Sequence, residues 1–122
     1  MSRRQQVLVR RVARIKERIA ALGDLHPGTL SKQYNVCGTP GCKCKGTPPV
    51  KHGPYFQLSW GRKGKTTTRF IRAPQVPRIR SQLRNYKALH TLIDEWIDAA
   101  MELGEIELQE ARRATSPSLK RG

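Results

Sequence analysis

Four residues that can ligate a metal ion lie within a stretch of 16 residues: Cys37, Cys42, Cys44 and His52. Three thiols and one imidazole match the number and type of ligands that a structural zinc ion takes in a tetrahedron. Gly38, Pro40 and Gly41 fall between the first two cysteines, where they favour a tight turn. We therefore predict that these four residues hold a structural zinc ion.

The cysteine spacing leaves two alternatives open. Four residues separate Cys37 from Cys42 and one separates Cys42 from Cys44, so the usual CxxC knuckle is absent. The segment can form a turn of cysteine and glycine without metal, or it can support redox or cluster chemistry. An odd number of cysteines at such short spacing fits a disulfide framework poorly.

The composition predicts one soluble domain. The chain has 122 residues, of which 37% are hydrophobic. This fraction is low for a hydrophobic core that is stable without further support. The arginine-rich start MSRRQQVLVRR shows no signal peptide, and no apolar run approaches the roughly 18 residues that span a bilayer. Clustered free thiols are typical of a reducing compartment. We expect a single basic domain over residues 1–110, located in the cytoplasm and without a membrane partner.

The net charge of +15 is unevenly distributed along the chain. The part before Asp94 holds 20 Lys and Arg against two acids, Glu17 and Asp24. Seven acids and no base then follow from Asp94 to Glu110. Polyphosphate is the commonest partner of so basic a protein, so the charge predicts binding to nucleic acid, either DNA or RNA. A solvated basic surface with only non-specific affinity is the alternative.

Two amphipathic helices are predicted from apolar residues that recur every three or four positions. The first helix spans residues 4–22, and its stripe consists of Leu8, Val12, Ile15, Ile19 and Leu22. The second spans residues 77–110, and its stripe consists of Ile79, Leu83, Tyr86, His90, Ile93, Ile97 and Ala100. A flanking column at Leu89, Trp96 and Leu103 widens this stripe into a coiled-coil-like face. Residues 111–122 are predicted to form a disordered basic tail.

A cysteine and histidine knuckle is predicted over residues 29–54, and a β-hairpin over residues 55–71. The segments YFQLSW and KTTTRFI are rich in aromatic and β-branched residues and flank the turn segment GRKG. A three-residue loop at 62–64 predicts three cross-strand pairs: Phe56 with Phe70, Leu58 with Thr68, and Trp60 with Thr66. The predicted fold class is α+β, a small zinc-stapled β-hairpin packed against an N-terminal helix and a long C-terminal helix.

The predicted nucleic-acid contacts are basic residues on three elements. They are Arg10, Arg14 and Arg18 on the first helix, Arg62, Lys63, Lys65 and Arg69 on the hairpin, and Arg80 and Arg84 on the second helix. Such side chains bind phosphates and make the affinity depend on salt. An ordinary solvated turn is the alternative for the hairpin tip, because lysine there also prevents aggregation through sheet edges.

The order TLSKQY, CGTPGCKC, HGPYFQLSW and GKTTTRFI resembles an uncharacterised family of small bacterial and archaeal proteins, a domain of unknown function. That family shares a start of the form SL-x-x-x-Y, a cysteine pattern close to CGKPxCxC, and HGPYYYL before a hairpin and a terminal helix. All four predicted ligands match, and Phe56 stands where a second tyrosine is commoner. Members often occur beside mobile elements, so the resemblance implies an accessory factor of a mobile element and no catalytic residue.

Two further functions follow from the helices. An assembly or adaptor protein would use the coiled-coil face to form a homodimer or to recruit a larger recombinase or transposase. A metal-dependent enzyme would need an open metal position with a base nearby, and His90, Asp94 and Asp98 do share one helical face. Solvated or paired charges are the commoner explanation of such a trio. We therefore predict no enzymatic activity.

Overall fold

The structure, a computed structural model, describes the backbone of residues 1–121 and the side chains of residues 1–114. The main elements are α1 (Arg3–Ala20), β1 (Thr29–Asn35), β2 (His52–Arg62), β3 (Lys65–Ile71) and α2 (Val76–Arg121). Short 3-10 turns lie at Lys43–Lys45 and Ala73–Gln75. The predicted α+β class is confirmed. Among the described residues, no helix combines the length and apolarity needed to cross a membrane.

The chain forms two compact units, whereas the sequence predicted one domain over residues 1–110. The helical unit consists of Met1–Leu22 and Ala88–Gly122, and the sheet unit consists of Gly23–Lys87. The helix α2 contributes its first 12 residues to the sheet unit and the remainder to the helical unit.

A capping box starts α1. The hydroxyl of Ser2 accepts a hydrogen bond from the backbone N–H of Gln5 at 3.1 Å, and the side-chain oxygen of Gln5 accepts one from the N–H of Ser2 at 2.8 Å. The helix buries Leu8 and Ile15, two members of the predicted stripe. Its bounds agree with the predicted helix over residues 4–22 to within two residues.

Two side-chain contacts show the relative direction in which α1 and α2 run within the helical unit. The guanidinium of Arg4 donates two bonds to the carboxylate of Glu102, at 2.5 and 2.8 Å. The ammonium of Lys16 lies 5.1 Å from the centroid of the Trp96 ring. Because the earlier residue of α1 meets the later residue of α2, the two helices run antiparallel.

The buried face of α2 in the helical unit differs from the predicted stripe. The structure buries Leu92 and Ala99, which were not predicted, and half-buries the predicted flanking column at Leu89, Trp96 and Leu103. The predicted residues His90, Ile93, Ile97 and Ala100 are exposed, so this part of the prediction was wrong. The buried column is apolar without interruption at steps of three and four, whereas the predicted column includes a histidine and is followed at the same spacing by Gly104.

The helix α2 continues beyond the predicted end at residue 110. It passes through Gly104, and its last residue is Arg121. The segment from Glu105 to Ala114 contains good helix formers and neither glycine nor proline, which explains the continuation as far as Ala114. The side chains of residues 115–121 and the whole of Gly122 lie outside the described residues.

The three strands form one antiparallel sheet in the order β1-β2-β3. The β2–β3 connection is a two-residue turn, with Lys63 at φ 51° and Gly64 at φ 79°, as in a type I′ turn. The observed pairs are Phe56 with Ile71, Leu58 with Arg69, and Trp60 with Thr67. The predicted pairs, which assumed a three-residue loop, were wrong by one residue because this tighter turn matches the strand twist better.

The sheet unit packs around the face of the sheet that carries Leu58, which is buried together with Val76 at the start of α2. The rings of His26 and Trp60 are nearly perpendicular, with 4.7 Å between their centroids. The backbone N–H of His26 donates to the carbonyl of Gln82 at 3.2 Å, which ties the segment before β1 to α2.

We expect Glu102→Gln to lower the melting temperature slightly at neutral pH. The hydrogen bonds from Arg4 hold the pKa of Glu102 below its ordinary value. The pair therefore stabilises the fold above that ordinary value, and the contribution disappears as the pH falls through the lowered pKa. Circular-dichroism melts should show a difference between wild type and variant that shrinks to nothing in acid. Glu107→Gln, on an exposed position of the same helix, is the control, and a difference that persists in acid would contradict the assignment.

Candidate metal centre

The four predicted ligands come together at the loop end of the β1–β2 hairpin. Cys37 follows β1 by two residues, and His52 is the first residue of β2, where it pairs with Asn35. Cys42 and Cys44 lie in the connecting loop. The ligand atoms of all four residues lie within 4.8 Å of one another.

The separations of the ligand atoms fit a single ion. The sulfurs of Cys37 and Cys44 are 3.5 Å apart, and the sulfur of Cys42 lies 3.1 Å from Nε2 of His52. Metal–sulfur bonds of about 2.3 Å in a tetrahedron put ligand atoms about 3.8 Å apart. The cluster therefore needs adjustments of less than about 1 Å between these pairs to close around one metal ion.

A tight turn brings the second cysteine back toward the first. The backbone N–H of Cys42 donates to the carbonyl of Thr39 at 3.4 Å. Pro40 takes the second position of this turn and Gly41 the third, with φ at 76°. These are the residues and the left-handed dihedral of a type II turn, which the glycine and proline of the sequence predict.

A 3-10 turn aims the third cysteine inward. Cys44 is the central residue of Lys43–Lys45 and is 1% exposed. The N–H of Lys45 donates to the carbonyl of Cys42 at 2.9 Å, and the N–H of Val50 donates to the carbonyl of Lys43 at 2.9 Å. This turn lets two cysteines separated by one residue share a site without extended backbone between them.

Gly53 permits the close approach of β1 and β2 beside His52. Its φ is 132°, and a Cβ at this position would lie 2.7 Å from the carbonyl oxygen of Gln33. The β1–β2 register shifts between Gln33 and Asn35 at the same place. Glycine therefore places the histidine ligand by letting the two backbones meet.

The loop stabilises one thiolate in particular. The backbone N–H of Thr39 and the neighbouring ligand side chains lower the pKa of Cys37 to about 6. Burial raises the pKa of Cys44, whose sulfur accepts a hydrogen bond from the N–H of Cys37 at 3.4 Å. A backbone donor to a ligand sulfur is a usual feature around bound metal ions, because it orients the ligand and moderates its charge.

The predicted nucleic-acid contacts on α2 share a cavity of about 250 Å³ in the sheet unit. Its described lining combines three basic side chains with the start of β1 and includes no acid: Gly28, Thr29, Leu30, Arg80, Leu83, Arg84 and Lys87. Lys87 was missed by the sequence analysis. Lys87 follows Arg80 by seven residues and Arg84 by three, and this spacing is the signal that places it on the same helical face.

The predicted contacts on α1 line two other cavities, both in the helical unit. Arg10 and Arg14 border a cavity of about 400 Å³ together with Val7 and Arg11. Arg14 and Arg18 border one of about 340 Å³ whose lining also includes two acids from α2, Glu95 and Asp98. Phosphate contact at this second cavity would have to compete with those carboxylates.

The predicted contacts on the hairpin are all exposed. Arg62 and Lys65 form the last pair of the β2–β3 ladder, and Lys63 lies in the turn. Arg69 lies opposite Leu58 on the edge strand β3.

The chain belongs to the family described as Domain of unknown function (DUF6788), whose sequence profile matches residues 5–81. The matched region runs from α1 through the cysteine loop and the sheet to the first turns of α2. The comparison thereby confirms the expected membership in a domain family of unknown function. No curated protein and no solved structure shows a significant match to the chain.

Proposed function

We propose that this member of the family is a nucleic-acid-binding protein, whose main binding surface belongs to the sheet unit and whose cysteine and histidine cluster holds a structural zinc ion. The distribution of charge between the two units carries the proposal. The sheet unit holds 13 Lys and Arg against a single acid, Asp24, a net charge of +12, which leaves +3 of the total +15 for the helical unit. Charge of one sign at this density repels itself unless a polyanion neutralises it.

The cavity lined by Arg80, Arg84 and Lys87 is the best supported phosphate site. Three cations line it without a neighbouring carboxylate, so a phosphate group there meets no competitor within the lining. The basic hairpin tip at 62–65 extends the cationic surface of the same unit. Contacts of this kind fix a protein on the nucleic-acid backbone without reading sequence.

Zinc is the metal that the donor set favours. Three thiolates and one imidazole are soft or borderline ligands, and a tetrahedral set of four protein ligands leaves no position for a substrate. When bound, the ion supplies bonds that fold the loop rather than chemistry. The role we propose is therefore structural, without catalysis. A cytoplasmic location and an accessory role beside mobile elements remain predictions from the sequence and the resemblance.

Protein purified without added zinc is expected to carry about one zinc ion per chain, because the cluster provides one set of four ligands. Cys42→Ser and His52→Ala should each lower the zinc content measured by plasma mass spectrometry, and a chelator should lower the melting temperature of the wild type. His90→Ala is the matched control, since His90 belongs to α2 in the helical unit. Folded wild-type protein that contains no metal would contradict the zinc assignment.

Binding to a labelled DNA duplex is expected to weaken steeply with salt, with each phosphate contact contributing about 0.9 to the slope of log affinity against log salt. Arg80→Gln and Arg84→Gln should each flatten that slope by about one contact. Fluorescence anisotropy at several salt concentrations measures it. Arg18→Gln is the control, because this arginine shares its cavity with Glu95 and Asp98 and should change the slope less. An affinity that is absent, or unchanged by salt, would rule out the proposal.

An adaptor function is the second candidate, and an exposed apolar column on α2 favours it. Ile93, Ile97, Met101 and Leu108 are exposed although they are large and apolar. At 100° per residue, acids flank the column on both sides, Asp94 and Glu105 on one and Glu107 on the other. A second copy of this face would bring like charges together, so the column fits a partner helix with basic flanks.

A synthetic amphipathic helix with leucines on one face and lysines beside them should bind the wild type and should bind Ile97→Lys at least about 10-fold more weakly. Isothermal titration calorimetry measures both affinities. The same peptide with glutamates in place of the lysines is the control. Its affinity should not depend on the side chain at residue 97. Because the protein carries a net charge of +15, non-specific attraction would favour the acidic peptide. Equal binding of the basic peptide to both proteins would exclude the column as a docking face.

A further inference from the structure

The sheet has a polar outer face, opposite the face that carries Leu58. By the observed register its residues are Thr29, Ser31 and Gln33 on β1, Tyr55, Gln57 and Ser59 on β2, and Thr66, Thr68 and Phe70 on β3. None of these residues is buried. The face is therefore available to a ligand.

Two aromatic rings lie on this outer face. Phe70 is 70% exposed and Tyr55 is 42% exposed. Phe70 pairs with Gln57, two residues along β2 from Tyr55, so the two rings are diagonal neighbours with Cα atoms about 7–8 Å apart. The inward-facing rings Phe56 and Trp60 are half-buried. The sheet core accounts for that inner pair but gives no reason for an exposed phenylalanine.

Hydrogen bonds hold the polar side chains around the rings in place. The amide nitrogen of Gln33 donates to the side-chain oxygen of Gln57 at 2.6 Å, across β1 and β2. The hydroxyls of Ser59 and Thr68 lie 2.9 Å apart across β2 and β3. These hydroxyls and amides lie on the same face as the two rings and supply hydrogen-bond donors and acceptors for the edges of bases.

The charge beside this face has the sign that a nucleic-acid strand requires. Arg72 follows β3 in extended conformation, with φ −71° and ψ 144°, so alternation places it on the same side as Phe70. No acid occurs in the sheet unit apart from Asp24, which precedes β1. Aromatic rings with cations beside them are the recurring means by which proteins bind unpaired strands.

We propose that the outer face of the sheet binds single-stranded nucleic acid, with unpaired bases stacked on Phe70 and Tyr55 and the backbone neutralised by Arg72. The assignment rests on the proposed nucleic-acid function and narrows its substrate class. A duplex cannot use this face in the same way, because its bases are already stacked on one another.

The test compares a labelled 12-nucleotide oligothymidine with a duplex of the same length, both titrated by fluorescence anisotropy into the full chain. Phe70→Ala should weaken binding of the single strand by about 5-fold to 100-fold, and Tyr55→Ala by a similar factor, with little effect on the duplex. Phe70→Leu keeps the apolar bulk but loses the ring, so it should also weaken binding of the single strand. Phe70→Tyr keeps the ring and should bind the single strand as the wild type does. Met101→Ala is the matched control, because Met101 is 68% exposed and lies on α2 in the helical unit.

The outcomes separate this inference from the function on which it rests. Salt-dependent binding to the duplex, with equal single-strand affinity for wild type and Phe70→Ala, would overturn the stacking face and leave the proposed function intact. A Phe70→Leu variant that binds the single strand as well as wild type would overturn stacking too. Failure of the wild type to bind either probe would overturn both. Repeating the titration with oligouridine shows whether the protein prefers RNA or DNA. Loss of affinity for either single strand in Phe70→Ala supports the assignment.

Discussion

The convergence of Cys37, Cys42, Cys44 and His52 is the constraint on which the sheet unit depends. Apart from the cysteines, every residue from 36 to 51 is exposed, so this loop has almost no apolar burial to define its path. The loop also joins two strands whose register shifts between Gln33 and Asn35, next to the pair of Asn35 with His52. Bonds to the metal ion that we propose would act there on both ends of the loop at once, since Cys37 follows β1 and His52 begins β2.

The same constraint bears on the charge of the sheet unit. A unit of 65 residues with a net charge of +12 disfavours its own compact state, and its buried side chains are few. The metal ion that we propose would offset that cost without adding apolar surface, and the basic side chains would stay in water. In the helical unit, acidic side chains reduce the repulsion between basic ones. Arg4 pairs with Glu102, and arginines of α1 line a cavity together with Glu95 and Asp98.

The sequence was sufficient for features whose signal is local. Ligand type, the Thr39–Cys42 turn residues and the 3.6-residue periodicity of α1 each follow from a few neighbouring residues, and the structure agrees with all three. The buried face of α2 and the two-unit division were not predictable in the same way. Two columns of similar apolar character lie side by side on α2. Only packing against α1 decides that the column through Leu92 and Ala99 is the buried one. No local pattern records which residues of a long helix belong to which unit.

The hairpin register shows how one residue in a turn decides what a sheet face can bind. A three-residue loop would place Phe70 opposite Phe56, inside the core. The observed two-residue turn places Phe70 opposite Gln57, on the outer face, and puts Ile71 opposite Phe56 instead. Because side chains alternate along a strand, this single step moves the whole of β3 from one face to the other. The polar and aromatic character of the outer face is therefore a consequence of the turn at Lys63 and Gly64, and composition alone could not have revealed it.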